Sequence, residues 1–166
     1  MIYMGIDNGS TGSIAVLSEN GKVMLHIPTP VKETLSYTKK AQYIKRVDTK
    51  ELSQLFGSFS EGIKCLLERP MINPGMFKSS ISSIRADEAT VICLENAAIP
   101  YAYIDSKKWQ KELLPQGLNG RDLKKAAKLV SEKVFAGSEI LKGQGMQDSL
   151  LIAEYLRRKE LGALCK

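Results

Sequence analysis

Three acidic residues stand where a carboxylate has to be compensated by another group: Asp7, Glu68 and Asp148. Asp7 is the single charged residue of the apolar run at the start of the chain, and it precedes a turn rich in Gly, Ser and Thr. Glu68 ends a second, largely apolar run, residues 63–68, and Asp148 begins an apolar segment much later in the chain. A carboxylate in a buried strand is costly unless it is compensated, usually by a metal ion or by a role in phosphate binding.

Brought together by the fold, these carboxylates would form a divalent-metal site. A cluster of acids repels itself unless cations neutralise it, and hard oxygen ligands suit Mg²⁺ or Mn²⁺. Two such ions about 3.5–4 Å apart activate a water and stabilise the leaving oxygen in phosphodiester hydrolysis. We therefore expect Asp7, Glu68 and Asp148 to be metal ligands and catalytic residues, with two ions per site.

The elements that must position these acids are predicted to form one domain over residues 1–166. Alternating apolar residues, capping residues and Gly or Pro turns divide the chain. The predicted elements are strands 2–7, 13–18 and 22–27, a basic loop at about 29–46, helix 48–58 with Asp48 as N-cap, strand 63–68, loop 71–79, helix 80–97, strand 99–104, a short helix with Trp109, and helices 121–135 and 147–160.

This order predicts an α/β fold with a mixed five-stranded sheet flanked by helices. Three antiparallel strands come first, and parallel strands that alternate with helices follow. It is the order of the ribonuclease H-like fold. In such a sheet the first and fourth strands are neighbours and the last helix packs across them, which would place Asp7, Glu68 and Asp148 on one surface.

The composition is that of a globular protein with an anionic partner. Hydrophobic residues make up 43% of the chain, and the formal net charge of +6 favours nucleic acid. Cys65, Cys93 and Cys165 have no metal-ligand spacing and are interpreted as reduced thiols. The chain has no basic segment leading into an apolar stretch at its N-terminus and no apolar run of 18 residues, so we expect a cytoplasmic protein without a membrane partner.

Two groups of lysines and arginines are candidates for contacts with a DNA backbone. One follows the fifth strand and the other lies on or near helix 121–135. The default interpretation of such a run is a solvated helix face, but beside a nuclease site these residues would contact phosphates and position the DNA. The candidate DNA-binding residues are Lys78, Lys107, Lys108, Lys111, Arg121, Lys124 and Lys125.

The predicted loop 71–79 carries the apolar side chains Met71 and Phe77 beside Lys78. One interpretation is a wedge that enters the opened centre of a DNA junction, as apolar side chains do in other DNA complexes. The other is packing in the core or in a dimer interface. The sequence leaves both open.

The chain resembles the RuvC-type Holliday junction resolvases of the phage and bacterial branch of the ribonuclease H-like superfamily. The resemblance implies a metal-dependent endodeoxyribonuclease, active as a homodimer on branched DNA, with Asp7, Glu68 and Asp148 at the positions of the metal ligands. It runs from residue 2 to about residue 158. The matching segments are Gly5-Ile-Asp7-Asn-Gly-Ser-Thr-Gly, Leu67-Glu68-Arg69-Pro70-Met71 with Asn73-Pro74, Tyr103-Ile-Asp-Ser-Lys-Lys-Trp-Gln110 and Asp148-Ser-Leu-Leu-Ile-Ala-Glu-Tyr155.

The chain departs from the family pattern just before Asp148. That family usually has a further acid there, whereas this chain has Gln144, Gly145 and Met146. The amide oxygen of Gln144 is a possible weak metal ligand. A second hypothesis is therefore a branched-DNA binding protein of the same fold with weak or absent cleavage.

Two further alternatives follow from the same fold. A relative that processes ribosomal RNA would differ only in its polymer. The turn after Asp7 also resembles the phosphate-binding turn of actin-like ATPases and sugar kinases, which need a second such domain that 166 residues leave no room for. We therefore expect no nucleotide cofactor. The sequence leaves a bacterial or a phage origin open.

Overall fold

The structure, a computed structural model, describes residues 1–36, 41–59, 62–143 and 145–164. Within these residues the chain forms seven strands and five α-helices. The elements are β1 (Ile2–Asp7), β2 (Ser13–Ser18), β3 (Val23–Pro28), β4 (Val31–Leu35), β5 (Tyr43–Val47), α1 (Thr49–Gly57), β6 (Ile63–Glu68), a 3-10 turn (Pro74–Met76), α2 (Phe77–Asn96), β7 (Tyr101–Ile104), α3 (Ser106–Leu113), α4 (Gly120–Val134) and α5 (Asp148–Glu160).

The predicted five-stranded mixed sheet is confirmed. Its strand order is β3-β2-β1-β6-β7, and β2 runs antiparallel to both β1 and β3. β6 runs parallel to β1, and β7 runs parallel to β6. Because the carboxyl ends of parallel neighbours meet at one edge, Asp7 at the end of β1 and Glu68 at the end of β6 lie at the same edge of the sheet.

A hydrophobic core covers each face of the sheet. Met4 and Ile6 of β1 pack towards α1 and α2 on one face. Tyr3 packs against α5 on the other face, as the alternation of side chains along a strand requires. Residues 149–156 of α5 are all buried, so this helix lies in the core on that face of the sheet. No helix in the described part of the chain is long and apolar enough to cross a membrane.

The prediction of a basic loop at about 29–46 is wrong, because part of this segment forms strands. β4 and β5 pair as a two-stranded antiparallel sheet, with Val31 opposite Val47 and Lys32 opposite Arg46. Charged residues fill this hairpin because most of its side chains are exposed, so the apolar alternation that marks a strand is weak. Residues 37–40, which include Lys39 and Lys40, lie outside the described residues.

Several element boundaries differ from those predicted. α2 begins at Phe77 rather than at residue 80, because the Asn73 side chain accepts a hydrogen bond from Gly75 N and nucleates a turn that leads into the helix. β7 begins at Tyr101, one residue after Pro100, which has no N–H for a strand ladder. The predicted N-cap of α1 is confirmed, since Asp48 accepts from Lys50 N and Glu51 N.

The cysteines form no disulfide bond within the described residues. Cys65 lies in β6 and Cys93 in α2, and both are buried free thiols. Cys165 lies outside the described residues.

Candidate metal centre and nucleic-acid surface

The three predicted carboxylates come together at one edge of the sheet. Asp7 is the last residue of β1, Glu68 is the last residue of β6, and Asp148 is the first residue of α5, which packs across both strands. Asp7 is within electrostatic range of both other acids, and Glu68 is within range of Asp148. The tertiary structure therefore forms the acidic cluster expected from the sequence.

Burial raises the pKa of each acid, and repulsion between the acids adds to the rise for Asp7 and Glu68. Burial is the largest cause for Asp7, and Glu68 and Asp148 raise its pKa further, well above the usual range. Burial, followed by the charge of Asp148, raises the pKa of Glu68 to about 7. Burial raises the pKa of Asp148 to about 6, while the ammonium group of Lys124 acts in the opposite direction on both aspartates.

The chemistry of these donors suits a hard divalent cation, but their present arrangement does not form a metal site. Among the described residues, none of the three carboxylates forms an ion pair with a lysine or arginine. Mg²⁺ and Mn²⁺ bind through oxygen ligands such as these partly buried carboxylates. Over the described ranges, however, no group of three or more His, Cys, Asp or Glu side chains is arranged so that it could hold a metal ion.

The turn after Asp7 is tight because two glycines permit it. Gly9 has φ of +141°, a conformation that L side chains rarely adopt. A side chain at Gly12 would collide with the carbonyl oxygen of Asp7. Gly12 N donates to Gly9 O at 3.2 Å, and this bond closes the turn at the end of β1 and fixes the Asp7 backbone.

The segment before α5 is held to the sheet by His26 and Ser13. Leu141 N donates to His26 Nδ1 at 3.0 Å, so Nε2 carries the proton and donates to Met146 O at 2.7 Å. Ser13 Oγ donates to Met146 O at 3.1 Å and lies 2.7 Å from Ser149 Oγ. Burial lowers the pKa of His26 and keeps this tautomer neutral. These bonds fix the start of α5 and hence Asp148; a lone histidine in a predicted strand had not indicated that role.

Two polar groups on α3 surround Glu68. The side chain of Ser106 donates a hydrogen bond to the Glu68 carboxylate, which opposes the rise of its pKa. Trp109 is fully buried, as expected of a core anchor. Its indole Nε1 makes no hydrogen bond of normal geometry, yet it lies close enough to Glu68 to hold the carboxyl pKa down. α3 therefore orients the carboxylate that β6 supplies.

A second polar cluster lies next to Asp7 and had not been predicted. Asn8 Nδ2 donates to Asp87 Oδ1 at 2.7 Å, and the Tyr103 hydroxyl donates to Asp87 Oδ2 at 2.9 Å. The Arg69 guanidinium lies 5.6 Å from the centroid of the Tyr103 ring. Asp87 gave no signal in the sequence, because one acid on a half-exposed helix looks like any solvated residue. The cluster joins the ends of β1, β6 and β7 to α2.

The predicted DNA-binding residues are exposed, and they fall on both sides of the acids. Lys107 and Lys108 line a groove with Arg69 and Met71 next to the end of β6. Lys124 on α4 acts electrostatically on Asp7 and Asp148, so it lies beside the cluster. The remaining candidates are exposed: Lys78 in the first turn of α2, Lys111 on α3, and Arg121 and Lys125 on α4.

The two wedge candidates are exposed in this chain, while the weak-ligand candidate cannot be placed. The exposed fraction is 79% for Met71 and 70% for Phe77, which excludes packing in the core of this chain. A wedge and a dimer contact both remain compatible with such exposure. Gln144 lies outside the described residues.

Comparisons with known proteins support the fold. No protein-family model and no curated protein sequence matches the chain. The structure of Thermus thermophilus RuvC in complex with a Holliday junction substrate is similar, with a TM-score of 0.68 and 12% sequence identity over 99% of this chain and 98% of that chain. A second T. thermophilus RuvC structure matches with a TM-score of 0.58, again at 12% identity and with 99% and 98% coverage. The predicted resemblance is thus confirmed as a RuvC-like, ribonuclease H-like fold over nearly the full length.

Proposed function

We propose that this protein is a structure-selective DNA endonuclease that resolves four-way or other branched DNA by metal-dependent phosphodiester hydrolysis. One observation carries the proposal. Asp7, Glu68 and Asp148, far apart in sequence, form an acidic cluster at the carboxyl edge of β1 and β6. The fold around the cluster is similar to that of a RuvC whose structure contains a Holliday junction substrate.

In this proposal Asp7, Glu68 and Asp148 hold Mg²⁺ or Mn²⁺, with two ions in each site. Bound ions of this kind activate a water molecule and stabilise the leaving oxygen. The carboxylates have to give up protons to bind them, because metal ligands must be deprotonated. Gln144 remains a proposed further, weaker ligand.

The surrounding residues position the substrate and the acids. Ser106 and Trp109 orient Glu68. Lys107 and Lys108 contact phosphates on one side of the cluster, and Lys124 contributes positive charge directly beside it. Such contacts fix the register of DNA without reading its sequence.

The proposal includes a homodimer acting in a bacterial cytoplasm, whether the chain is bacterial or phage-encoded. Resolution of a four-way junction requires two nicks in opposing strands, and one acidic cluster makes one nick at a time. Two copies of the chain supply two clusters.

A second candidate function keeps the DNA binding and drops most of the cleavage. It is favoured because, in the described part of the chain, no group of three or more His, Cys, Asp or Glu side chains is arranged so that it could hold a metal ion. Gly145 and Met146 also stand where a fourth acid would help. An RNA-processing role differs from both candidates only in the sugar of the substrate.

The first experiment compares a labelled four-way DNA junction, the same junction with ribose arms and a linear duplex, in Mg²⁺, in Mn²⁺ and in chelator. We expect paired, metal-dependent nicks in the DNA junction alone. Asp7→Asn is expected to lower the cleavage rate by at least about 10³-fold, because it removes one of the charges that binds the ions. Asp122→Asn, which removes an exposed carboxylate on α4, should cleave at the wild-type rate.

The outcomes separate the candidates. Tight junction binding without cleavage in either metal would support the binding protein and contradict the nuclease. Preferential cleavage of the ribose junction would support RNA processing. Equal cleavage by wild type and Asp7→Asn would show that the acidic cluster is not the catalytic site.

A further inference from the structure

A groove of about 450 Å³ lies between the β4–β5 hairpin and α2. It begins at Ser10, in the turn that follows β1, only three residues after Asp7. It lies on the α2 side of the sheet, whereas Lys107 and Lys108 line the groove beside the end of β6. The two grooves therefore lie next to the chain segments that follow Asp7 and Glu68.

The hairpin groove is strongly basic. Its hairpin wall contributes Lys32, Lys45 and Arg46, and its helical wall contributes Lys78 and Arg85. Within the described part of the chain no acidic residue lines it. Asp48 lies beside it and forms an ion pair with Lys32 at 3.7 Å. A concave surface lined by one sign of charge attracts ligands of the opposite sign.

The same groove has an apolar strip with an aromatic ring at its rim. Phe77, in the first turn of α2, is 70% exposed and lines the groove together with Ile81 and Ala86 of the same helix. Cations that follow a backbone beside an aromatic ring on which a base stacks are the features that proteins use to bind single-stranded nucleic acid. A simple anion site would not need the exposed ring.

The dimensions of the groove favour a single strand over a duplex. A volume of about 450 Å³ is in the range of small-ligand sites. Duplex DNA, whose major groove alone is about 12 Å wide, is too large for such a site. One strand with its bases unstacked matches both the size and the lining.

We propose that the groove between the β4–β5 hairpin and α2 binds an unpaired strand of branched DNA next to the phosphate that is cut. This inference rests on the proposed function and adds a source of selectivity to it, because a fully paired linear duplex offers no strand to the groove. Arg46 and Lys78 contact phosphates from the two walls, and a base stacks on Phe77.

The test removes one cation from each wall and measures binding in chelator, where no cleavage occurs. Fluorescence anisotropy gives the dissociation constants of wild type and of Arg46→Ala/Lys78→Ala for a labelled single strand and a blunt duplex, over a range of salt concentrations. Loss of two phosphate contacts should lower the salt slope for the single strand by about 1.4 and weaken its binding about tenfold at 0.15 M salt. Duplex binding should change little.

Three further variants make the test specific. Lys22→Ala/Lys133→Ala removes the same charge from exposed positions outside the groove and should leave single-strand binding unchanged. Phe77→Ala should weaken single-strand binding about tenfold, whereas Phe77→Trp should retain it, because a base stacks on any aromatic face. Thermal unfolding of each variant verifies that the fold is intact.

The inference is overturned by equal losses on single strand and duplex, by wild-type binding in Arg46→Ala/Lys78→Ala, or by the same loss in the control pair. These results are independent of the cleavage assay. A protein that cuts junctions but loses no single-strand affinity in the groove variant keeps the proposed function and contradicts this inference. A protein that binds single strands through the groove but never cuts keeps the binding site and contradicts the nuclease.

Discussion

The Glu68 carboxyl group changes its protonation state near neutral pH. Burial and the charge of Asp148 raise its pKa to about 7, while Ser106 and Trp109 limit the rise. Without metal, roughly half of the molecules therefore carry a protonated Glu68 at pH 7. A bound divalent ion reverses this preference because it stabilises the ionised form.

Glu68→Gln is expected to stabilise the metal-free protein at pH 8 by up to about 3 kcal/mol. The pKa of Glu68 in the folded protein, about 7, lies above its ordinary value of 4.5, so folding binds a proton between these values. The contribution of the protonated carboxyl group to the free energy of unfolding is fully present below pH 4.5. It is lost as the pH rises through 7. Gln mimics that form at every pH.

Thermal unfolding in chelator from pH 5 to pH 8 measures this effect. The wild type should lose stability towards pH 8 relative to Glu68→Gln, and saturating Mg²⁺ should then stabilise the wild type more than the variant. Glu112→Gln, at an exposed position of α3, should follow the wild type. A constant difference between wild type and Glu68→Gln across this pH range would contradict the raised pKa.

The contact between β1 and α5 sets the position of Asp148 relative to Asp7. A Cβ atom on Gly5 would collide with the backbone of α5, at Ser149 O and Ala153 N. The helix therefore lies directly on the strand at this point. Because backbone atoms cannot move aside as a flexible side chain would, the spacing of the two aspartates depends on the absence of one methyl group.

Gly5→Ala is expected to destabilise the protein by about 1–3 kcal/mol, as overpacking of a core does. It should also weaken Mg²⁺ binding, because α5 has to move away from β1 and carries Asp148 with it. Urea unfolding measures the first effect and metal titration the second. Gly57→Ala is the matched control, since its Cβ meets nothing within 4 Å; a loss of stability as large in Gly57→Ala would contradict the packing argument.

At the scale of the whole molecule, two basic grooves lie next to the strand ends that carry acids. Lys107 and Lys108 line one groove beside the end of β6, and Ser10 in the turn after β1 lines the hairpin groove. The chain has a formal net charge of +6, whereas the three acids are negative when ionised. Such a distribution attracts a polyanion to the edge of the sheet where the acids lie.

Lys107→Ala/Lys108→Ala is expected to lower the salt slope of junction binding by up to about 1.8, since each phosphate contact to duplex DNA contributes about 0.9. Binding should weaken for junction and linear duplex alike, because phosphate contacts carry no sequence or branch information. Anisotropy titrations with both substrates in chelator measure this, with Lys22→Ala/Lys133→Ala as the charge-matched control. A loss confined to the junction would place these lysines in branch recognition instead.

The local features of the chain were readable from the sequence because they depend on neighbours in the chain. The apolar runs in residues 2–7 and 13–18, the Asp48 cap and the apolar spacing of the 121–135 helix each predicted an element that the structure contains. The β4–β5 hairpin was missed because most of its side chains are exposed and four of the ten in its strands are charged, so the apolar pattern is weak. The two strands pair through backbone hydrogen bonds, which the pattern of side chains does not reveal.

The positions of the three carboxylates at the ends of elements follow from local sequence, because Asp7, Glu68 and Asp148 each interrupt, end or begin an apolar run. Their surroundings depend on long-range packing. Asn8 reaches Asp87 across 79 positions and His26 reaches Met146 across 120, and no local pattern encodes such contacts. The raised pKa values have the same origin, because burial and the proximity of like charges arise only when distant segments pack together.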